Sequence, residues 1–173
     1  MLERFKQYKG ITNGFSLVEM IIYILILVSL LVVIMNITVS IVRSQRAVKA
    51  SRNVENSAMI SLERITREVR QMNDVSSTLS VFDTNPGTLV LNSTDIGGNP
   101  RTVEFYVASS TIFMKENGVV SGALSQSDAV ITNLIFRHFS NASVDGIRIE
   151  MTIESGTSTY YRVGDFYSSA ILR

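Results

Sequence analysis

Apolar residues crowd one stretch of this chain and then thin into two different rhythms. Residues 21–35 are almost unbroken Ile, Leu and Val, interrupted by Tyr23 and Ser29 and closed by Met35. Asn36, Thr38 and Ser40 dilute its far end, no charge occurs from Met20 to Val42, and Arg43 ends the run. A helix over 20–42 would be about 35 Å long at about 1.5 Å per residue, enough to cross a hydrocarbon core of about 30 Å. A buried core helix is the bland alternative, but this run is too long and too pure for it. A secretory signal is the more serious one. Its apolar stretch is only about 7–15 residues and leads to a small-residue cleavage site. Here Arg43-Ser44-Gln45-Arg46 continues in helical fashion, so the pattern predicts a helix that stays in the membrane.

The second rhythm is helical and one-sided. Val54, Ala58, Leu62, Ile65, Val69 and Met72 recur at steps of three and four, one stripe of a 3.6-residue helix. Arg52, Asn56, Glu63, Arg67 and Arg70 lie opposite, with Glu63 and Arg67 spaced for an i,i+4 ion pair. Neither Gly nor Pro interrupts the stretch. One long helix running to about Asn73 is therefore expected, its apolar stripe covered by the C-terminal domain. Met59 and Ile60 fall off that stripe, Ile60 on the polar side, which makes Ile60 a candidate contact with another subunit.

After Asp74 the third rhythm is short and β-prone. Strands are expected at 89–91, 103–107, 112–115, 119–120, 131–139, 147–153, 160–163 and 167–172. Asn117-Gly118 signals a hairpin between 112–115 and 119–120. Asn85-Pro86-Gly87, Gly97-Gly98-Asn99-Pro100, Asp145-Gly146 and Ser155-Gly156 are expected to be loops. A long helix followed by mostly antiparallel strands is an α+β arrangement, with the sheet packed on the helical stripe. The expected organisation is a charged leader at 1–14, a transmembrane helix at 15–42, its amphipathic continuation at 43–73 and a β-rich domain at 74–173.

Composition narrows the function. Sixteen basic and fifteen acidic residues give a net charge of +1, so the overall balance carries no nucleic-acid footprint. The chain has no cysteine, which removes disulfides, thiolate metal sites and thiol catalysis. Its single histidine, His138, sits within Ile135-Phe136-Arg137-His138-Phe139 and is expected to be a packing or strand-face residue. No phosphate-binding loop, His-Glu-x-x-His or calcium-loop spacing occurs. Asp74, Asp83, Asp95, Asp128, Asp145 and Asp165 are scattered, and a few meeting around Ca²⁺ is a remote alternative. The triplets at Asn92 and Asn141 match glycan acceptors by a pattern too common to carry function. The expectation is a chain that is not an enzyme, with no cofactor, no metal and no small-molecule substrate.

The informative chemistry lies ahead of the apolar run. The leader carries Arg4, Lys6 and Lys9 against Glu3 and ends at Gly14, an unhindered backbone that a protease can enter. A cut there would keep the apolar helix and create a free amino group on Phe15. Glu19 lies within a turn of that amine, at the head of the run. An ionised carboxylate inside a membrane helix costs about 2.5–3.5 kcal/mol, less near the interface, and such groups are normally paired. The candidate partner is the Phe15 amine, in the same chain or a neighbour. Glu19 also complements the positive helix N-terminus, worth about 0.3–1 kcal/mol.

Gly14-Phe15-Ser16-Leu17-Val18-Glu19 followed by an apolar helix resembles the N-terminal signature of type IV pilins and type II secretion pseudopilins. The resemblance implies cleavage after Gly14 by a prepilin peptidase at the cytoplasmic face and N-methylation of Phe15. It implies that Glu19 attracts the amine of an adjacent subunit during filament assembly, with an inner-membrane assembly platform and membrane lipid as further partners. The final location would be an extracytoplasmic filament, reached from the inner membrane with the N-terminus cytoplasmic. Two features depart from the pattern. The mid-helix proline of many major pilins is missing, with Asn36 near its place, so the helix should be less sharply broken. Arg43, Arg46, Lys49 and Arg52 follow the span, and the positive-inside rule alone would lean towards the opposite orientation. Residues 62–71 and 166–173 are similar to the helix end and closing strand of J-type minor pseudopilins and PilW-like minor pilins. The absence of cysteine fits poorly with pilins that close a C-terminal disulfide loop. The rival functions are a membrane-tethered binding module, such as an adhesin or a DNA-uptake pilin that would bind nucleic acid, and a signal-anchored enzyme, for which no catalytic residues present themselves.

Overall fold

The computed structural model describes residue 14 and residues 16–94, 97–141, 144–157 and 159–172. The chain divides into two compact units, residues 1–42 and 43–173. Helix α1 runs over Leu17–Gln71. It starts where Ser16 offers its carbonyl to the Met20 amide (3.2 Å), with Glu19 in the first turn and Arg70 in the last, each complementing the helix dipole. Ser16 and Glu19 occupy the first and fourth places of a capping-box sequence, a start signal written in the chain itself. The helix stops when the Asn73 amide turns to the Asn92 carbonyl (3.1 Å) and the chain enters the sheet.

The α+β architecture expected from the sequence is what the molecule has, consistent with a pilin-like fold class. Its strands form two antiparallel sheets. The first has the order β1-β2-β3-β4-β5, from Asp74–Val75, Leu89–Thr94, Pro100–Ala108, Thr111–Glu116 and Val119–Ala123. The second has the order β6-β7-β8, from Ala129–Asn141, Val144–Ser155 and Arg162–Ile171. Residues 43–71 of α1 pack against both. Val54, Ala58, Ile65, Val69 and Met72 share one core with Leu89, Leu91, Phe105, Phe136, Ile149 and Ile153. Leu62, the remaining member of the expected stripe, is partly buried against it.

Polar residues complete this face of the helix. Ser57, Ser61 and Glu68 are buried among the apolar positions. The Ser57 hydroxyl accepts from the Gln126 amide (3.1 Å). Glu68, 2% exposed, takes Arg64 on one oxygen and Arg101 on the other, each at 2.9 Å. Arg101 then reaches Glu116 at 2.6 Å. Hydrogen bonding to Glu116, followed by Glu68, outweighs burial and raises the Arg101 pKa above its ordinary value. The i,i+4 ion pair of this helix is thus Arg64–Glu68 rather than the expected Glu63–Arg67, and it ties α1 to β3 and β4.

The hairpins show which turns a sequence announces. Asn117 and Gly118 have φ of 51° and 81° and join β4 to β5 as expected. Ser109 and Ser110, at 48° and 59°, make the same kind of two-residue turn between β3 and β4. No glycine or asparagine marks it. The cis Asn85–Pro86 loop lies along β6, where Asn85 accepts from the Leu134 amide (3.0 Å) and donates to the Thr132 carbonyl (3.1 Å). It covers an edge that would otherwise be open to pairing.

Several expectations need correction. Asp145 and Gly146 are not a loop; they belong to β7, opposite Ser140 and Phe139. Glycine stands there because a Cβ at 146 would lie 2.5 Å from the Phe139 ring and 2.7 Å from the Ala170 carbonyl. Pro100 opens β3 rather than closing a loop. The last two expected strands are one, β8, which begins at Arg162 and leaves Tyr160 and Tyr161 outside it. Gly164 lets it pass unbroken, since a Cβ there would press on the Phe166 ring and on Val54.

Candidate functional site

The helix head is built from few atoms. Gly14 is exposed, and no described residue lies within 4 Å of the place its Cβ would occupy. Phe15, the expected new terminus and methylation position, lies outside the described residues, as do residues 1–13 of the expected leader. Glu19 is half-buried. Its Oε1 accepts a hydrogen bond from the Tyr23 hydroxyl at 3.1 Å, one turn along the helix. The i,i+4 spacing of Glu19 and Tyr23 is present in the sequence, but nothing there raises it above other such pairs. Tyr23 supplies one neutral donor, and among the described residues no cation pairs with Glu19.

Beyond that turn the helix is apolar all round and faces outward. Every large apolar side chain from Leu17 to Val42 is exposed, and a window of the helix reaches a mean hydropathy of 3.0 with none of it buried. The helix is long and apolar enough to cross a membrane. Two of its hydroxyls bond back to the helix: Ser29 Oγ donates to the Ile26 carbonyl (2.8 Å) and Thr38 Oγ1 to the Ile34 carbonyl (2.9 Å). Such back-bonding removes most of the cost of placing a hydroxyl in hydrocarbon.

On the domain, Ile60 is 49% exposed and Met59 67% exposed. Met59 lines an open groove of about 820 Å³ with Leu62 and Phe166 as its apolar floor. The remaining chemistry is dispersed. His138 lies on β6, stacked on Phe82, with Nε2 2.6 Å from Asp145 Oδ1 across the β6–β7 hairpin. Asp83 pairs with Arg137, Asp128 with Lys49, and Asp165 accepts from Thr152. Asp74 pairs with Asn92 at the start of β1, and Asp95 lies outside the described residues. Among the described residues no three acidic or imidazole groups gather in a way that would hold a metal ion.

Compared with protein-family models, curated proteins and solved structures, the chain has no significant match.

Proposed function

We propose that this chain is a structural minor subunit, a minor pilin or pseudopilin, of a type IV pilus or a type II secretion pseudopilus. The observation that carries the reading is a single carboxylate, Glu19, at the head of an outward-facing apolar helix. It is preceded by Gly14-Phe15 in the order that prepilins have. The exposed apolar surface needs a non-aqueous environment, first the bilayer and then the helices of other subunits. A prepilin peptidase cuts after Gly14, and the Phe15 amine, methylated, keeps its positive charge. Glu19 of one subunit then pairs with that amine on the next. The Tyr23 hydroxyl holds the carboxylate in place beforehand and keeps it hydrogen-bonded while it waits. The protein sits in the inner membrane with its N-terminus cytoplasmic before it enters the filament. It performs no catalysis of its own; its partners are the peptidase, other subunits, the assembly platform and lipid. Ile60 and Met59, apolar yet exposed, form part of the contact with a neighbouring subunit.

Mass spectrometry of the mature chain tests this directly. A methyl-phenylalanine terminus at position 15 is expected, and an intact Met1 would reject the reading in favour of a simple anchor. Glu19→Val should enter the membrane normally and fail to join filaments. Ile60→Asp should weaken incorporation while the domain remains folded.

A further inference from the structure

The four cations after the apolar run do not form one face. Arg43, Arg46, Lys49 and Arg52 are three residues apart, and each such step turns the side chain back by about 60°. They therefore fan round roughly half the helix. Arg46 and Lys49 line a cleft of about 420 Å³, shared with Asp128, Gly156, Thr157 and Tyr160. Arg43 and Arg52 do not line it.

Close backbone packing shapes this cleft. Gly156, at φ 99°, brings the β7–β8 turn so close to the helix that its Cβ would lie 3.3 Å from the Cβ of Ala50. The same Cβ would collide with the Tyr160 carbonyl. Tyr160 donates its amide to the Thr157 carbonyl (2.7 Å), and the buried Ser155 hydroxyl donates to the Asp128 carbonyl (2.6 Å). The two cations outnumber the single carboxylate. Asp128 takes Lys49 at 3.1 Å, while Arg46 has no ion-pair partner among the described residues. Arg46 and Lys49, with Thr157 and Tyr160 among the other lining residues, make a donor set that suits the oxygens of a phosphate.

Depth along the chain points the same way. Arg46 follows the last residue of the apolar run, Val42, by one helical turn. A bilayer that holds residues 20–42 has its headgroup layer, about 5–7 Å deep, at that level. We propose that this cleft binds a phosphate group, the chemistry shared by an anionic phospholipid headgroup and free phosphate, with the headgroup as its source. The proposal rests on the bilayer part of the proposed function and not on filament assembly. It also gives Arg46 and Lys49, two of the four cations beyond the span, a role other than setting orientation.

The test uses the full chain in nanodiscs of phosphatidylcholine containing a small fraction of phosphatidylglycerol, with bound phosphatidylglycerol counted by native mass spectrometry. Arg46→Gln should weaken binding about tenfold or more, the loss of a hydrogen-bonded charge partner of the phosphate. Arg43→Gln removes an equal charge nearer the apolar run but outside the cleft, and should weaken it by no more than about fivefold, the general effect of one cation at an anionic surface. Thr157→Val should weaken it about twofold or more, although no charge changes. Diffuse surface attraction predicts the reverse order, with Arg43→Gln the stronger and Thr157→Val silent; that result overturns the site. Inorganic phosphate is then titrated against the bound lipid. Lipid retained at millimolar phosphate supports the headgroup, whereas displacement supports a phosphate site filled from solution. A chain that does not enter nanodiscs overturns the bilayer premise, an outcome distinct from insertion without binding.

Discussion

Helix α1 holds two solutions to the same problem, since residues 17–42 and 43–71 are equally helical and both carry apolar side chains that water does not favour. In the first stretch the apolar residues surround the axis and are all exposed. In the second they occupy one stripe, and that stripe is fully buried at Ile65, Val69 and Ala58. The polar residues differ as well. Ser29 and Thr38 bond back to their own helix, whereas Ser57 and Glu68 reach across to loops and strands. A helix apolar on all sides demands a solvent that is apolar on all sides; a striped helix demands only a sheet.

The largest effect that would test this contrast is expected at Glu68. Glu68→Ala leaves Arg101 with Glu116 alone and should cost the domain about 3–5 kcal/mol in chemical denaturation, the usual result of breaking a buried pair. If the domain lost less than about 1 kcal/mol, the network would not be what fastens α1 to β3 and β4. On the other stretch, Leu31→Lys should leave domain stability unchanged but oppose membrane insertion by about 2.5–3.5 kcal/mol, read from the inserted fraction. Gly146→Ala comes next, at about 1–3 kcal/mol of overpacking against Phe139, and its cost should fall when Phe139 is shortened to Leu.

The smallest effect concerns pH. Hydrogen bonding from Arg137, and then the charges of Arg137 and Arg148, hold the Glu150 carboxyl below its ordinary value of 4.5. Its folded pKa is thus the lower one, so its contribution is present above pH 4.5 and is lost as pH falls through the folded value. Melting temperature should fall less steeply below pH 4.5 in Glu150→Gln than in the parent chain. Parallel profiles would show that the exposed Arg137 pair contributes nothing measurable.

Much of the fold was legible because it rests on local rules. A helix without Gly or Pro, a stripe at steps of three and four, and Asn117-Gly118 each state their outcome within a few residues. The misreadings came where contact overrides local preference. Asp145-Gly146 looks like a turn until Phe139 needs room beside it, and Ser109-Ser110 looks like nothing until two paired strands impose positive φ on both residues. At the helix head the sequence displayed Glu19 but not the weight of Tyr23, because an i,i+4 pair is one of many until distances rank them.

By itself the sequence determined the apolar run, its length and purity, the lone carboxylate at its head and the lack of any thiol, since these are properties of order and composition. The tertiary structure alone decided that the strands split into two sheets and that Glu68 is buried between two arginines. It alone brought Arg46 into a cleft with a turn more than a hundred residues along the chain. Such pairings depend on which distant surfaces the core brings together, and core packing is a property of the whole chain rather than of any window in it.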